Sequence, residues 1–379
     1  VLYWSCKYVT SCLSKKAACK KKRGSLKMKK FLSTVLAMSL MLSLAACSGS
    51  SDNSSTADNS GSSEDLYSIA MVTDVGGVND QSFNQSAWEG MQRLESDKGV
   101  KVSFLESKKD ADYAPNLAKV TDDAPDIVWG IGFLMKDALA AAAESNPDQR
   151  YALVDDVFEA GQYPNAIGVQ FQAEQSSFLV GYIAAHKTET NHVGFLLGME
   201  SPVMDRFKYG YEAGVRYGAK ELGKEIQYDF ALAESFSDTA KGKAMAQKMY
   251  TDGADVIFHA AGQTGSGAIE AAKEMNKMVI GVDLDQNFLA PDNVITSALK
   301  NVGNAVYDIT GRIMDGEELG GTNVTMGLAE GGVGIAPSSD KHLSAELLAQ
   351  VDELQQKIID GEIVVPYTQE DFDAFVANL

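Results

Sequence analysis

The chain has 379 residues, 45% of them hydrophobic, and carries 33 Lys/Arg against 52 Asp/Glu for a net charge of −19. That length supplies enough apolar surface for one large core or two ordinary ones, and the acidic balance argues against nucleic acid as a partner. Four cysteines and four histidines (His186, His192, His259 and His342) show no metal-ligand spacing, so no metal, cofactor or thiolate site is expected.

The first recognisable element is a processing signal. Lys29 and Lys30 precede an apolar run over 31–44, which suits the hydrophobic segment of a signal peptide and is short for a bilayer span. The run ends in Leu44-Ala45-Ala46-Cys47, small residues followed by a cysteine, as in a bacterial lipobox. Cys47 is therefore the expected lipidation site, with fatty acyl chains such as palmitate holding the mature protein at the extracellular face of the cell membrane. An ordinary secretory signal with an incidental cysteine is the alternative. Residues 28–46 are then the signal peptide. Residues 1–27, with Cys6, Cys12, Cys19 and no acidic residue, are expected to be a leader ahead of a true start at Met28. Removing residues 1–46 with their ten Lys/Arg would leave 23 basic against 52 acidic residues, net −29. Residues 47–65 are Ser, Gly, Asn and Asp with almost nothing apolar, the composition of a flexible tether.

From Tyr67 onward short apolar runs alternate with amphipathic stretches. Strands are predicted over 67–72, 100–105, 127–131, 151–154 and 166–169, with helices near 84–98, 113–122, 134–145 and 173–189 between and after them. The cycle repeats, with strands over 192–197, 226–232, 256–258, 278–282 and 294–298 and helices near 204–222, 239–252, 265–277 and 302–315. Strand–helix alternation implies parallel sheets, and two cycles of five strands imply an α/β chain of two doubly wound, Rossmann-like lobes. Ligands of such sheets collect at the carboxyl ends of the strands, so a cleft between the lobes is the expected site. The tail reads less cleanly: a turn or short strand at Gly331-Gly332-Val333-Gly334, a helix over 343–359 and a possible last strand over 363–365 before Pro366.

Candidate site residues cluster at strand ends. Thr73 to Gln85 follows the first strand and contains Asp74, a Gly76-Gly77 turn, Asn79, Asp80, Ser82 and Phe83. These read either as helix capping with a hydrophobic staple or as a ligand cradle with Phe83 as a stacking face. Phe236, in Ser235-Phe236-Ser237-Asp238, sits in the corresponding kind of loop in the second cycle, and the two rings could sandwich a flat ligand. Asp155-Asp156 and Asp283-Leu284-Asp285 end strands with carboxylates able to accept from sugar hydroxyls or ring N–H groups. Lys300 is a candidate donor to a hydroxyl. Gly262-Gln263-Thr264-Gly265-Ser266-Gly267 lacks the P-loop ending and reads as a tight turn with exposed backbone N–H groups. No Gly-x-Ser-x-Gly elbow accompanies the scattered histidines, so no catalytic residues are assigned.

These motifs resemble the basic membrane protein (BMP) family of substrate-binding lipoproteins, which includes purine nucleoside receptors of ABC transporters. The likeness rests on Asp74-x-Gly-Gly-x-Asn-Asp-x-Ser-Phe-Asn-Gln, Gly281-Val-Asp-x-Asp-Gln, Ser297-Ala-Leu-Lys300 and Gly331-Gly-Val. It implies a type I periplasmic-binding-protein fold, with lobe 1 made of 66–170 plus about 300–325 and lobe 2 of 171–299 plus about 326–379. It also implies a purine nucleoside stacked between Phe83 and Phe236. Asp74, Asn79 or Asp80, and Asp156 would meet the base edge; Gly262, Asp283 and Lys300 would meet the ribose. Asp155 against Asp156, and Asp283 against Asp285, stay open. The implied partners are an ABC permease and its ATPase, with the receptor a monomer that performs no covalent chemistry. A sugar receptor on the same fold, a nucleoside-processing enzyme and an adhesion role are the other readings.

Overall fold

The computed structural model describes residues 66–379; the leader, signal peptide, Cys47 and tether expected upstream lie outside the described residues. The chain begins with β1 (Ser68–Thr73), α1 (Phe83–Lys98), β2 (Lys101–Glu106), α2 (Tyr113–Asp122), β3 (Ile127–Ile131), α3 (Lys136–Ser145), β4 (Tyr151–Val154) and β5 (Ala166–Phe171). It continues with α4 (Ala173–Lys187), β6 (His192–Leu197), α5 (Pro202–Leu222), β7 (Gln227–Leu232), α6 (Thr239–Asp252), β8 (Val256–Ala260), α7 (Gly262–Met275), β9 (Met278–Asp283) and β10 (Val294–Lys300). The last part holds α8 (Val302–Met314), β11 (Asn323–Met326), β12 (Val333–Ile335), α9 (Ala345–Ile359) and α10 (Gln369–Asn378).

Local chemistry sets the ends of these elements. Ser201 accepts from Met204 N–H ahead of α5, Pro202 fills the first helical position, and Gly223 closes the helix in the left-handed region. Asp238 and Ser344 cap α6 and α9 in the same way. Strands β3, β4, β6 and β8 are buried along their whole length, as expected of strands covered by helices on both faces.

The described strands form two six-stranded sheets, ordered β11-β5-β4-β3-β1-β2 and β12-β10-β9-β8-β6-β7. Every pairing is parallel except β10 with β12. Apart from the added edge strand, the two orders are the same doubly wound order. Within 66–379 the chain passes between the sheets three times, after β5, after β10 and after β11. The passage after β10 places α8 against α1, and Trp129 on β3 donates to Thr310 on α8 at 3.2 Å. In the second lobe α4 and α5 pack backbone to backbone; a side chain at Gly214 would collide with the Phe178 backbone.

Three local expectations need correction. The 262–267 segment is not a free turn but the first turns of α7. Its glycines let neighbouring atoms approach: Gly265 lies over the His259 ring and Gly267 against the Thr239 carbonyl. The 363–365 run pairs with no strand among the described residues: Val364 is 78% exposed, and the run ends at Pro366. Helix α10 is not among the elements expected from the sequence pattern. None of its residues is fully buried, and Thr368 caps its start.

Candidate ligand-binding site

The loop after β1 is built around carboxylates. Asp74 Oδ1 accepts from Gly76 N–H at 3.0 Å and from Asn84 Nδ2 at 2.7 Å. Asp80 accepts from the N–H groups of Ser82, Asn84 and Gln85 and from Asn84 Nδ2, at 2.9–3.0 Å. It thereby satisfies orphan donors in the first turn of α1. Glu106 at the end of β2 accepts from Val78 N–H at 3.0 Å and pins the Gly76-Gly77 turn, where Gly77 has φ +69°. Asn84 is 1% exposed, and its Oδ1 has no partner among the described residues.

Strand ends from both lobes face this loop. Asp155 follows β4 and Asp283 ends β9, with φ values of 70° and 64°. Lys300, at the end of β10, donates to Asp155 Oδ2 at 2.5 Å and lies 3.9 Å from Asp283 Oδ1. Ser82 Oγ donates to Asp283 Oδ2 at 2.5 Å, and Gln286 Nε2 donates to the Gln81 carbonyl at 2.9 Å. These bonds join the first lobe to the second, so the cleft is closed. The Lys300 ammonium also sits 4.3 Å from the centre of the Phe83 ring, a cation–π contact.

Between these groups lies a cavity lined by aromatic and charged side chains from both lobes. Phe83 and Phe133 enter it from the first lobe, Phe207 and Phe236 from the second. Phe133 and Phe236 meet edge to face across the cleft, with centroids 6.3 Å apart. The site therefore combines aromatic walls with acidic strand ends and one buried cation.

Of the residues selected from the sequence, Asp74, Asp80, Phe83, Phe236, Gly262, Asp283 and Lys300 line this one cavity. Asn79 and Asp156 do not. Asn79 is exposed, and Asp156 accepts from Lys136 at 2.9 Å and from Val157 N–H at 2.7 Å. Of the two pairs left open, Asp155 and Asp283 face the cavity, whereas Asp285 caps a short 3-10 turn and holds Ser338. Sequence reasoning missed Asn84, Phe133 and Phe207. Asn84 stood in the quoted motif beside Phe83, and only the unpartnered oxygen singles it out. His259 is fully buried outside the lining, and burial holds its pKa down at about 4.

Burial dominates the electrostatics. It raises Asp74 to about 6 against hydrogen bonds from Gly76 and Asn84, and raises Asp283 to about 6 against the pull of Lys300 and Ser82. It also raises Asp80, against its hydrogen bonds from Asn84, Gln85 and Ser82. Among the described residues no cluster of His, Cys, Asp and Glu has the arrangement of a metal site.

Two doubly wound lobes closed over a buried cavity define a type I periplasmic-binding-protein fold. A solute-binding protein of an ABC transporter system from Aeropyrum pernix superposes with a TM-score of 0.73 at 30% identity, covering 81% of this chain and 95% of that one. One from Conexibacter woesei gives 0.66 at 22% identity over 80% and 99%, a likeness of fold. In sequence the chain is 39% identical to the CD4+ T-cell-stimulating antigen of Listeria monocytogenes, over 87% of this chain and 97% of that protein. It is also 39% identical to basic membrane protein A of Borreliella burgdorferi, over 82% and 91%. The family model Bmp, ABC transporter substrate-binding protein PnrA-like, matches residues 67–369, and the chain belongs to that family. No described helix is long and apolar enough to cross a membrane.

Proposed function

We propose that this protein captures a purine nucleoside between its lobes and delivers it to an ABC permease. The observation that carries the proposal is the convergence of Phe83 and Phe236, from opposite lobes, on one cavity that also holds Asn84, Asp155, Asp283 and Lys300. A purine offers two flat faces to aromatic walls and N–H groups at its edge. A ribose offers vicinal hydroxyls to carboxylates and a lysine.

The mechanism is a population shift. A ligand that touches both lobes only when they are closed favours the closed form, which docks on the permease. The chain acts as a carrier and performs no covalent chemistry on its ligand. Lipidation at Cys47 would hold it at the extracellular face of the membrane, with residues 47–65 as the spacer.

Isothermal titration with inosine, guanosine, adenosine, cytidine, adenine and ribose tests the reading. Purine nucleosides are expected to bind well ahead of the free base and the pentose. Tight binding of ribose with no gain from the purine would replace the proposal with a sugar receptor. Conversion of inosine to hypoxanthine during the titration would replace it with an enzyme.

A further inference from the structure

The Asp80 carboxylate stands in the cavity wall, yet its acceptor capacity is spent inside the protein. Oδ1 takes the N–H groups of Ser82 and Gln85, each at 3.0 Å. Oδ2 takes Asn84 N–H and Asn84 Nδ2, each at 2.9 Å. An ionised carboxylate has about four lone-pair sites, so none is left for a ligand. The consequence falls on Asn84. Both of its amide protons are engaged, one by Asp80 and the other by Asp74 Oδ1 at 2.7 Å. Turning the amide over would bring its oxygen against two carboxylate oxygens. The orientation is therefore fixed, and Oδ1, buried and without a partner among the described residues, is the atom Asn84 has left to offer a ligand.

We infer that Asp80 is a positioning residue, not a ligand contact: it locks Asn84 as an obligate acceptor, so the site selects ligands that bring an N–H donor to that point. The inference rests on the nucleoside reading and refines it. Inosine and guanosine carry N1–H, and adenosine carries an exocyclic N–H. Purine riboside has the same rings and ribose but no N–H on its six-membered ring. Bound to this site it leaves Asn84 Oδ1 dry and unpaired, the situation that gives polar sites their discrimination.

The test is the ratio of calorimetric Kd values for purine riboside and inosine. For the wild-type protein the expected preference for inosine is about tenfold or more. Asp80→Asn keeps the size of the side chain but places a donor where Asn84 now donates. The expected result is a ratio reduced to within about threefold. A residue that merely stabilises the start of α1 would weaken both ligands by one factor and leave the ratio unchanged, and that outcome overturns the inference. Should Asp80→Asn not fold, Asn84→Ala decides the matter, because an unchanged ratio there removes Asn84 as the reader. If the wild type binds both nucleosides equally, the inference fails and the nucleoside reading stands. If it binds neither, both fail.

Discussion

Asp155 and Asp283 occupy the same position in the two lobes. Each stands at the carboxyl end of the fourth strand in its sheet's doubly wound order, each has a positive φ, and each is 5% exposed. Lys300 lies between them, 2.5 Å from one and 3.9 Å from the other. A non-glycine residue in the left-handed region is uncommon, though Asp tolerates it better than most. The turn re-aims each side chain out of the strand's alternation and into the cleft. The two halves of the fold thus present matched carboxylates to one cation.

Lys300 is expected to help hold the two lobes in the closed arrangement. Lys300→Met leaves Asp155 and Asp283 buried without a counter-charge, and breaking a buried pair costs about 3–5 kcal/mol. Thermal unfolding at pH 7.5 should show a clear fall in Tm, with recovery in the Lys300→Met/Asp155→Asn double variant. An unchanged Tm in the single variant would show that the pair contributes nothing net.

The paired rings should carry a large share of affinity. Aromatic contacts give about 0.5–1.5 kcal/mol beyond the area they bury, and loss of the area adds to this. Phe83→Ala and Phe236→Ala are each expected to weaken inosine about tenfold or more. Calorimetry on both variants checks this, and wild-type Kd values in both would remove stacking from the account.

Stability and binding should respond to pH in opposite directions. Burial holds Asp74 and Asp283 at about 6, above their ordinary 3.8. Between about pH 4 and 6 the folded chain keeps protons that the unfolded chain has released. The stability this confers is present below the unfolded pKa and is lost as pH rises through 6. The ligand-free protein should therefore have a higher Tm at pH 5 than at pH 7.5, with a smaller difference in Asp283→Asn. A hydroxyl donor prefers ionised Asp283, so nucleoside affinity should fall as pH drops below about 6. Titration near pH 6 in buffers of different ionisation enthalpy should then record proton release on binding. Proton uptake would contradict this.

Asn79 and Asp156 provide the contrast. Asn79→Ala and Asp156→Asn are expected to change nucleoside Kd by no more than about twofold, the scale of a surface change. Asp283→Ala should reduce the preference for a nucleoside over its free base. A large loss in Asp156→Asn would return that residue to the site.

Much of the fold is legible because buried parallel strands are short apolar runs and the helices between them are amphipathic. The edge elements are less so. Strand β11 is four residues long and contributes one buried side chain, and α10 has no fully buried residue. At the site, Phe83 and Phe236 stand out because each is an aromatic among polar loop residues. Phe207 lies within α5 and reads as core. The choice of Asp155 over Asp156 depends on the positive φ at Asp155, after which Asp156 bridges Val169 and turns to Lys136. Asp80 and Asn84 are visible in the sequence as polar residues at a helix start. Which of them is spent and which is free depends on hydrogen bonds that spacing does not encode.

The most direct test is a crystal structure of the protein grown with inosine. We expect the hypoxanthine ring between Phe83 and Phe236, its N–H toward Asn84 Oδ1, and the ribose hydroxyls at Asp283 and Lys300. A ligand seated outside this cavity, or lying in it without touching either ring, would contradict the account.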